Sequence, residues 1–396
     1  MNNIKNIIHS NIYSFYYTQK IRHLRENRCL EKWVAQLENV DSIAEYDKFR
    51  QIVIDMKTDA EKKHFSLMWQ GLGQETTFYG HGSMLLRYAD LDIRNMNIIL
   101  PCVEHGISWY ERPPMGLEEP SVHSFFFQGD YRRDVTHKVK PYAPVFEIGP
   151  FIHYAQSIYL EQEIETYKKN HGKTALIFPF HCYEQSEAEY DTKSFVKDIM
   201  KAVKNYNNVL VSVYWNDVNT PVYDMFRSEG ATLVSAGFRG DRCFIDRLKT
   251  LILMSDATFG NGLGTHIGYS MYLNRPHYMI SSDINLQEHA HNLAVEEENL
   301  YAQTEKEFYR AFDAQCDYDS LEYERQKLFY KFWGGSKYVR SREEMALIIE
   351  ILIDLVQRSG GYCMKYKSSI VDMLACYKET DRRKYELLKA SLKGFD

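Results

Sequence analysis

The amino-acid sequence predicts an α/β fold, and two observations lead to this prediction. Short apolar runs that suit buried strands alternate with amphipathic segments whose apolar residues recur at helical spacing. The alternation is regular over the second half of the chain, where it predicts parallel strands joined by right-handed helical crossovers. The length of 396 residues favours two domains, because single cores stop growing at about 250–300 residues.

The regular part begins after Lys173. The run TALIFPFH at 174–181 is a predicted buried strand, and the amphipathic segment at 194–206 is the predicted helix that follows it. The other predicted strands lie at 208–215, 231–237, 256–260 and 276–281, with predicted helices between them. We therefore expect a Rossmann-like domain at 166–300.

The first 165 residues are expected to form a separate domain with a less regular pattern. The segment Asp41–Lys63 has the apolar spacing of a helix, whereas Ser83–Tyr88, Asn97–Val103 and Val145–Ile148 are predicted strands. Prolines predict loops over most of residues 110–145. The last segment, 301–396, is predicted to be helical and to pack back on both domains.

Composition and charge exclude several classes of protein. The net charge of −6 and the pI of about 6.2 argue against nucleic-acid binding, which needs a basic surface. The seven cysteines include no Cys-x-x-Cys pair, so neither a disulfide framework nor a structural zinc site is expected. No stretch suits a signal peptide or a membrane span. We expect a cytoplasmic enzyme; peripheral association with the inner face of the membrane and the oligomeric state stay open.

A glycine-rich turn follows the predicted strand at 256–260 and precedes a predicted helix. It contains Asn261, Gly262, Gly264, Thr265 and His266. Glycines let the backbone approach a ligand closely, and a helix start presents N–H groups to a phosphate. We therefore expect this turn to bind a phosphate. The alternative is a turn that only packs the helix against the strand.

Two further loops follow predicted strands, at the sheet edge where open α/β sheets bind ligands. His181 and Glu184 follow the first strand and are candidates for contacts to a ribose or a phosphate. Gly237, Arg242 and Arg247 follow or lie soon after the third strand, and arginine suits bidentate contact with phosphate. A solvated loop and ordinary surface ion pairs are the respective alternatives.

The first half contains a candidate general base. Glu104, His105 and Gly106 directly follow the apolar run NIILPCV. An imidazole titrates near neutral pH, so His105 can take a proton from an acceptor hydroxyl, with Glu104 as a neighbouring carboxylate. A purely structural histidine at a strand end is the alternative.

No metal site is expected. Asp90 and Asp92 have the spacing of a metal-binding carboxylate pair, but they precede a predicted strand instead of ending one. His289 and His291 are two residues apart, which does not place both on one helix face.

Three segments carry a resemblance to a known family: ALIFPFH, LVSVYWND and LKTLILMSDATFGNGLGTHIGYSMYLNRPHYMIS. Together they resemble the donor-binding half of GT-B glycosyltransferases from bacterial capsule and lipopolysaccharide clusters. The chain also resembles the capsular Kdo transferases and the teichoic-acid glycerophosphotransferases, which have a His-Gly pair in their first half, here His105-Gly106. The resemblance implies two Rossmann-like domains facing across a cleft.

The resemblance also implies an activity. A nucleotide sugar would be the donor substrate, a glycan or lipid-linked glycan the acceptor, and no cofactor would be needed. His105 would be the base, and the turn at 260–268 would hold the donor phosphate. The Glu-x7-Glu motif of many retaining GT-B enzymes is missing from Gly260–Gly268, which favours an inverting transfer. The alternatives are a sugar-nucleotide epimerase or polyol-phosphate transferase on the same fold, and a non-catalytic scaffold in a polysaccharide assembly complex.

Overall fold

The computed structural model describes residues 10–69, 74–92, 99–100, 102–109, 122–181, 191–280 and 295–392. Two compact units make up the chain. Unit 1 comprises Met1–Lys32, Lys63–Tyr154 and Lys331–Asp396, and unit 2 comprises Trp33–Lys62 and Ala155–Tyr330. Each unit contains a parallel sheet, which confirms the predicted α/β class.

Unit 2 is built on a five-stranded sheet in the order β6-β5-β4-β7-β8, with all neighbours parallel. Its strands are β4 Thr174–Phe178, β5 Asn208–Ser212, β6 Thr232–Val234, β7 Ala257–Gly260 and β8 His277–Met279. Each of them lies inside a predicted strand, so the predicted parallel sheet is confirmed. The central strand β4 is apolar and buried, as expected for a parallel sheet that is covered on both faces.

Unit 1 has a smaller sheet in the order β1-β2-β3, also parallel. Its strands are β1 Cys102–Val103, β2 Phe125–Phe127 and β3 Val145–Glu147. Strand β2 lies in a region predicted to be loop. Its three phenylalanines are fully buried, and β2 is the middle strand of the sheet. The prolines around this strand predicted a loop, so the sequence pattern did not reveal it.

The helices of the described residues are, in chain order, α1 Ile12–Arg22, α2 Leu24–Glu38, α3 Tyr46–Lys63, α4 Gln74–Thr77, α5 His81–Tyr88, α6 Arg133–Val139, α7 Glu161–His171, α8 Thr192–Ala202, α9 Pro221–Ser228, α10 Phe244–Met254, α11 His266–Tyr272, α12 Val295–Ala311, α13 Glu322–Trp333, α14 Arg342–Ser359, α15 Tyr366–Thr380 and α16 Arg382–Ala390. Short 3-10 turns lie at Phe78–Gly80, Asp130–Arg132, Phe151–His153, Trp215–Asp217, Asp319–Leu321, Gly335–Tyr338 and Cys363–Lys365. No helix within the described ranges has the length and apolarity to cross a membrane.

The prediction of a strand at Ser83–Tyr88 is wrong, because these residues form helix α5. The segment is rich in Met and Leu, which favour helices, and it lacks the β-branched residues that favour strands. Gly80 precedes the helix with a φ of 73°, a left-handed conformation that turns the chain into α5. Met84, Leu85 and Leu86 are then all buried in unit 1.

The units are discontinuous along the chain. Part of the N-terminal region, Trp33–Lys62, belongs to unit 2. There, the Ser42 hydroxyl donates to the Ser235 carbonyl over 2.6 Å, and the Arg50 guanidinium donates to the Val218 carbonyl over 2.8 Å. The C-terminal helical region is divided at residue 330, and its later part belongs to unit 1.

Candidate functional site

The carboxyl end of the unit 2 sheet has the geometry of a ligand site between β4 and β7. From β4 the chain goes on to β5 and β6 on one side, whereas β7 and β8 lie on the other side. Loops diverge at such a reversal of strand order and leave a crevice, where open α/β sheets bind ligands. The residues that follow β4 and β7, at 179–181 and 261–266, border this position.

Asn261 ties the two loops together. It is fully buried, and its side-chain oxygen accepts a hydrogen bond from the Phe180 backbone N–H at 2.7 Å. Its carbonyl accepts a second bond from the Tyr309 hydroxyl at 2.6 Å. Asn261 therefore fixes the backbone of both loops.

Gly262 and Gly264 are required by the packing of rings against the turn. A Cβ at Gly262 would lie 2.3 Å from the Phe180 ring, and one at Gly264 would lie 2.5 Å from the His266 ring. Neither distance is compatible with a side chain unless the ring moves. Packing of these rings therefore accounts for both glycines and does not exclude a ligand, and the phosphate contact stays a prediction.

His266 is the least ordinary group at this edge. Its ring stacks on Phe178 with centroids 4.4 Å apart, and it meets the ring of His277 at 5.2 Å. The Nε2 atoms of His266 and His277 are both buried without a hydrogen-bond partner. Such an atom costs about 1–3 kcal/mol when it is left unsatisfied, so a bound group that pairs with it is favoured.

Both histidines are neutral at pH 7. Burial, and to a smaller extent the charge of His181, lowers the pKa of His266 to about 3. Burial and then His266 lower the pKa of His277 well below its ordinary value. The Nδ1 atom of His277 lies 2.9 Å from the Thr258 hydroxyl, which leaves its Nε2 as the second unused position. These rings can each offer a hydrogen bond, but no positive charge.

His181 and Thr265 border the same edge. The His181 ring stacks on Tyr214 at 4.0 Å, which joins the loops after β4 and β5. Thr265 precedes α11 and makes no side-chain capping bond to that helix. Glu184 lies outside the described residues.

Arg242 and Arg247 contact a different part of unit 2. Arg247 is buried, forms an ion pair with Asp241 and donates to the Val40 carbonyl at 3.1 Å. Burial raises the pKa of Asp241, and the Arg247 guanidinium opposes this shift. Arg242 makes a bidentate pair with Glu38 at 2.9 and 3.0 Å.

Gly237 lies against that buried ion pair of Arg247 and Asp241. It has a φ of 112°, and a Cβ there would lie 3.0 Å from the Arg247 guanidinium and 3.1 Å from the Asp241 carboxylate. In this structure the groups next to Gly237 are therefore the charged side chains of Arg247 and Asp241. A ligand contact by Gly237 stays a prediction.

A cationic and aromatic cluster at the ends of β5 and β6 was not selected from the sequence. The Arg239 guanidinium lies 5.2 Å from the ring centre of Trp215, and the Lys57 ammonium lies 5.5 Å from the same ring. Burial lowers the pKa of Lys57, whereas Asp217 raises it. Trp215 ends one predicted strand and Arg239 follows another, which is the signal that the sequence offers, whereas Lys57 is distant in sequence.

At the carboxyl end of the unit 1 sheet, Glu104 forms an ion pair with Arg132. The Glu104 carboxylate lies 2.8 Å from Nη2 and 3.0 Å from Nε of Arg132, whose side chain is 2% exposed. Tyr131 is half-buried beside them; burial raises the pKa of its hydroxyl, which donates to the Ser108 carbonyl at 2.8 Å. Glu104 therefore neutralises a buried cation and fixes the loop after β1.

His105 lies among aromatic rings next to a second histidine. Its ring is 5.7 Å from that of Phe78 and 5.9 Å from that of Tyr79. His81 is buried, and its Nδ1 has no hydrogen-bond partner. Burial, and then the charge of His105, lowers the pKa of His81 to about 3. The structure thus brings the candidate base close to a neutral imidazole.

Gln128 is a candidate that sequence reasoning missed. It directly follows β2, it is 4% exposed, and both polar atoms of its side-chain amide lack a hydrogen-bond partner. No signal pointed to it, because β2 itself was not predicted. Among the described residues, no group of three or more His, Cys, Asp or Glu side chains is placed to hold a metal ion.

Comparison with known proteins gives little guidance. No protein-family model matches the chain, and no curated protein matches it in sequence. Among solved structures, the chain is similar to the wall teichoic acid polymerase TagF, with a TM-score of 0.37 and 11% identity over 68% of this chain and 70% of that one. A similarity at this level does not indicate a function, so a function has to be inferred from the chain's own residues.

Proposed function

We propose that this chain is a glycosyltransferase of the GT-B type that moves a sugar from a nucleotide-activated donor to a bacterial surface glycan. The observation that carries the proposal is the edge between β4 and β7 in unit 2. There, a glycine-containing turn, a fixed asparagine and a buried imidazole with an unused nitrogen border the position where α/β sheets bind ligands. The segment resemblance supports the same assignment.

In this proposal the donor phosphate binds the turn at 261–266. Gly262, Gly264 and Thr265 contribute backbone N–H groups or a hydroxyl, and His266 contributes a hydrogen bond from its neutral ring. A phosphate that approaches His266 favours its protonated form, so donor binding raises the pKa of this ring. His181 and Glu184 contact the nucleotide.

The two arginines have different parts in the proposal. Arg242 contacts Glu38 in this structure, and its contact with the donor stays a prediction; the surface pair it would have to leave contributes only about 0–1 kcal/mol, and its side chain is 67% exposed. Arg247 is 4% exposed and keeps its pair with Asp241, so it positions the loop that contains Gly237. Its effect on the donor is therefore indirect.

His105 is the proposed base, with Glu104 and Arg132 fixing its loop. As the acceptor oxygen forms a bond to the anomeric carbon, the bond from that carbon to the donor phosphate breaks. The acceptor proton goes to His105, and the electron pair leaves with the nucleoside phosphate. Hydrogen bonds from the turn at 261–266 stabilise the departing phosphate, so the proposed inverting transfer needs no metal.

A ligand screen followed by an activity assay tests the proposal. UDP, GDP, CDP, CMP and dTDP are each added to the full chain, and the melting temperature is measured. A ligand at 100 times its Kd stabilises the folded chain by about 2.7 kcal/mol, which such a scan detects. The matching nucleotide sugar should then release nucleoside phosphate only when a glycan acceptor is present.

Other outcomes identify the alternatives. Turnover of the sugar nucleotide without acceptor indicates an epimerase, and transfer from a nucleotide polyol with release of nucleoside monophosphate indicates a polyol-phosphate transferase. If no nucleotide stabilises the wild-type chain, the transferase proposal fails and the scaffold is favoured.

A further inference from the structure

Unit 1 contains a cavity of about 320 Å³ that is separate from the residues discussed so far. One wall is the edge strand β3, and another is helix α16 with the residues that follow it. Two hydrogen bonds bridge these walls where α16 ends: the Val145 N–H donates to the Ser391 carbonyl at 2.8 Å, and Arg133 donates to the Ala390 carbonyl at 2.8 Å. The cavity is thus built from regular elements with fixed backbones.

Seven of the twelve residues that line the cavity are charged, with arginine in excess. Four arginines and three glutamates line the cavity: Arg133, Arg340, Arg382, Arg383, Glu147, Glu344 and Glu386. Two of the carboxylates are used by two of the arginines, because Arg133 pairs with Glu147 and Arg382 pairs with Glu386. Glu344 accepts the Ser341 N–H at 3.1 Å in the capping box of α14.

Two guanidinium groups, those of Arg340 and Arg383, therefore remain together with the Glu344 carboxylate, which keeps its own charge, so the lining has one positive charge in excess. Neither Arg340 nor Arg383 forms an ion pair with any carboxylate of the described chain. Arg340 donates through Nε and Nη2 to one neutral acceptor, the Glu147 carbonyl, at 3.2 and 3.1 Å. Arg383 is exposed. Hydrogen bonds from the Ser341 hydroxyl and from the backbone lower the pKa of Glu343, and the charge of Arg383 lowers it further.

Arg340 is also rigidly placed. Its backbone N–H donates to the Tyr154 hydroxyl at 3.0 Å, and its carbonyl accepts the Tyr88 hydroxyl at 3.0 Å. With its guanidinium bonded to the Glu147 carbonyl, the side chain holds one orientation, and Nη1 is left to donate elsewhere. A preorganised guanidinium loses little entropy when an anion binds.

We propose that this cavity binds a phosphate-bearing ligand of about the size of a phosphorylated monosaccharide, with Arg340 and Arg383 contacting the phosphate oxygens. A phosphate monoester has three accepting oxygens and up to two negative charges, so it can accept hydrogen bonds from two guanidinium groups at once, and the excess positive charge of the lining attracts it. The volume is at the lower end of the ~300–1,000 Å³ range of small-molecule sites. The proposal rests on unit 1 alone and is independent of the transferase activity.

Direct binding to the full chain tests this site. The probes are inorganic phosphate, glucose 1-phosphate and glucose, measured by calorimetry at low salt. Wild type should bind the two phosphates and not glucose, and added salt should weaken binding because it screens the charges. Arg340→Gln and Arg383→Gln should each weaken glucose 1-phosphate about tenfold or more, as expected for a lost charge-assisted hydrogen bond.

The matched control is Lys384→Gln, which removes the same charge from the same helix. Lys384 pairs with Glu350 at 2.7 Å and does not line the cavity, so this variant should bind like wild type. Arg383 is exposed and holds no structural bond in the described chain, so its variant tests binding even if Arg340→Gln lowers the melting temperature.

A second arm identifies the source of the phosphate. Vesicles of phosphatidylglycerol and of phosphatidylcholine are sedimented with the same variants. Retention on the anionic vesicles alone, lost in Arg383→Gln and kept in Lys384→Gln, would support a phospholipid or lipid-linked phosphate as the ligand. The proposal is overturned if neither soluble phosphates nor anionic vesicles bind, or if Lys384→Gln weakens binding as much as the two arginine variants.

Discussion

The carboxyl ends of the two sheets carry different kinds of polar group. In unit 2, His266 is buried against aromatic rings and, like His277 at the start of β8, whose ring it meets, keeps an unused, uncharged nitrogen. In unit 1, the corresponding edge is organised by charge, with Glu104 paired to Arg132 and Glu147 paired to Arg133. His81 in unit 1 is the exception, because it resembles His266 in burial and in its lowered pKa.

This difference suggests how each edge discriminates between ligands. Neutral hydrogen-bonding groups select ligands by geometry, and their interactions change little with salt concentration. Ion pairs hold loops firmly, but removing one partner leaves a buried charge that is costly in free energy. Changes of side-chain shape should therefore have the larger effect at the unit 2 edge, and removal of a charge should have the larger effect at the unit 1 edge. Four predictions test that contrast.

The largest expected effect comes from the buried ion pair of unit 1. Glu104→Gln removes the Glu104 carboxylate from its pair with the Arg132 guanidinium, which is 2% exposed. Removing one partner of a buried pair typically costs about 3–5 kcal/mol. Urea unfolding, followed with a spectroscopic probe in unit 1, measures the loss in the free energy of unfolding.

The double variant Glu104→Gln with Arg132→Met is the control for that pair. It removes both charges and fills the space with an apolar chain, so most of the stability should return. A loss below 1 kcal/mol in the single variant would show that the unit 1 edge does not depend on this pair.

The second prediction concerns the proposed base. His105→Ala should lower kcat by about 10²–10⁴-fold, the usual contribution of general-base catalysis, with little change in donor affinity. His105→Phe is a useful companion, because a ring of similar size keeps the contacts with Phe78 and Tyr79. Steady-state kinetics and melting temperature are measured on the same preparations; a destabilised variant with full activity per folded molecule would make His105 structural.

The third prediction tests the dependence of unit 2 on shape. Gly262→Ala places a Cβ 2.3 Å from the Phe180 ring, so the ring or the turn has to move. Overpacking of this kind costs about 1–3 kcal/mol. Donor affinity should fall in the same variant, because the turn at 261–266 is the proposed phosphate site.

Removing the obstruction should reverse the effect. In the double variant Gly262→Ala with Phe180→Leu, the smaller side chain leaves room for the methyl group, and donor affinity should recover at least in part. Nucleotide affinity is measured by calorimetry and stability by thermal scans. Unchanged affinity in Gly262→Ala would remove the donor phosphate from this turn.

The sequence predicted the strands of unit 2 better than those of unit 1, for a physical reason. Unit 2 follows one rule throughout, in which each apolar run forms a strand and each amphipathic run a crossover helix, so all five strands were found. Unit 1 combines a two-residue strand β1, a strand of three phenylalanines between loops, and a Leu-rich helix α5 at a predicted strand. Such short elements are set by tertiary packing, which local pattern does not reveal.

The candidate residues divide in the same way. The sequence pointed to Asn261 and His266 because they follow a recognisable strand. It did not foresee that Asn261 would join two loops or that His266 would be buried and neutral, since both depend on the partners Phe180 and Phe178. Gln128 and Arg340 carried no local signal, because their positions depend on contacts with residues far along the chain.

The smallest predicted effect concerns the feature that the two edges share. Burial lowers the pKa of both His81 and His266 to about 3, whereas an unfolded histidine has a pKa of about 6.5. As pH falls below 6.5, the unfolded chain takes up protons that the folded chain does not, so this contribution to stability is complete above pH 6.5 and is lost progressively down to pH 3. At pH 6 each histidine should already cost about 0.8 kcal/mol relative to high pH.

Asparagine substitutions isolate that contribution, since asparagine is polar and does not titrate. In His81→Asn and in His266→Asn, the loss of stability between pH 8 and pH 6 should be smaller than in wild type by about 0.8 kcal/mol each, and by about twice that in the double variant, because the sites lie in different units. Urea unfolding at the two pH values provides the numbers. If the His81 variant alone flattens the pH dependence, His266 is protonated more easily than its burial implies, and the unit 2 edge can present a positive charge to a phosphate after all.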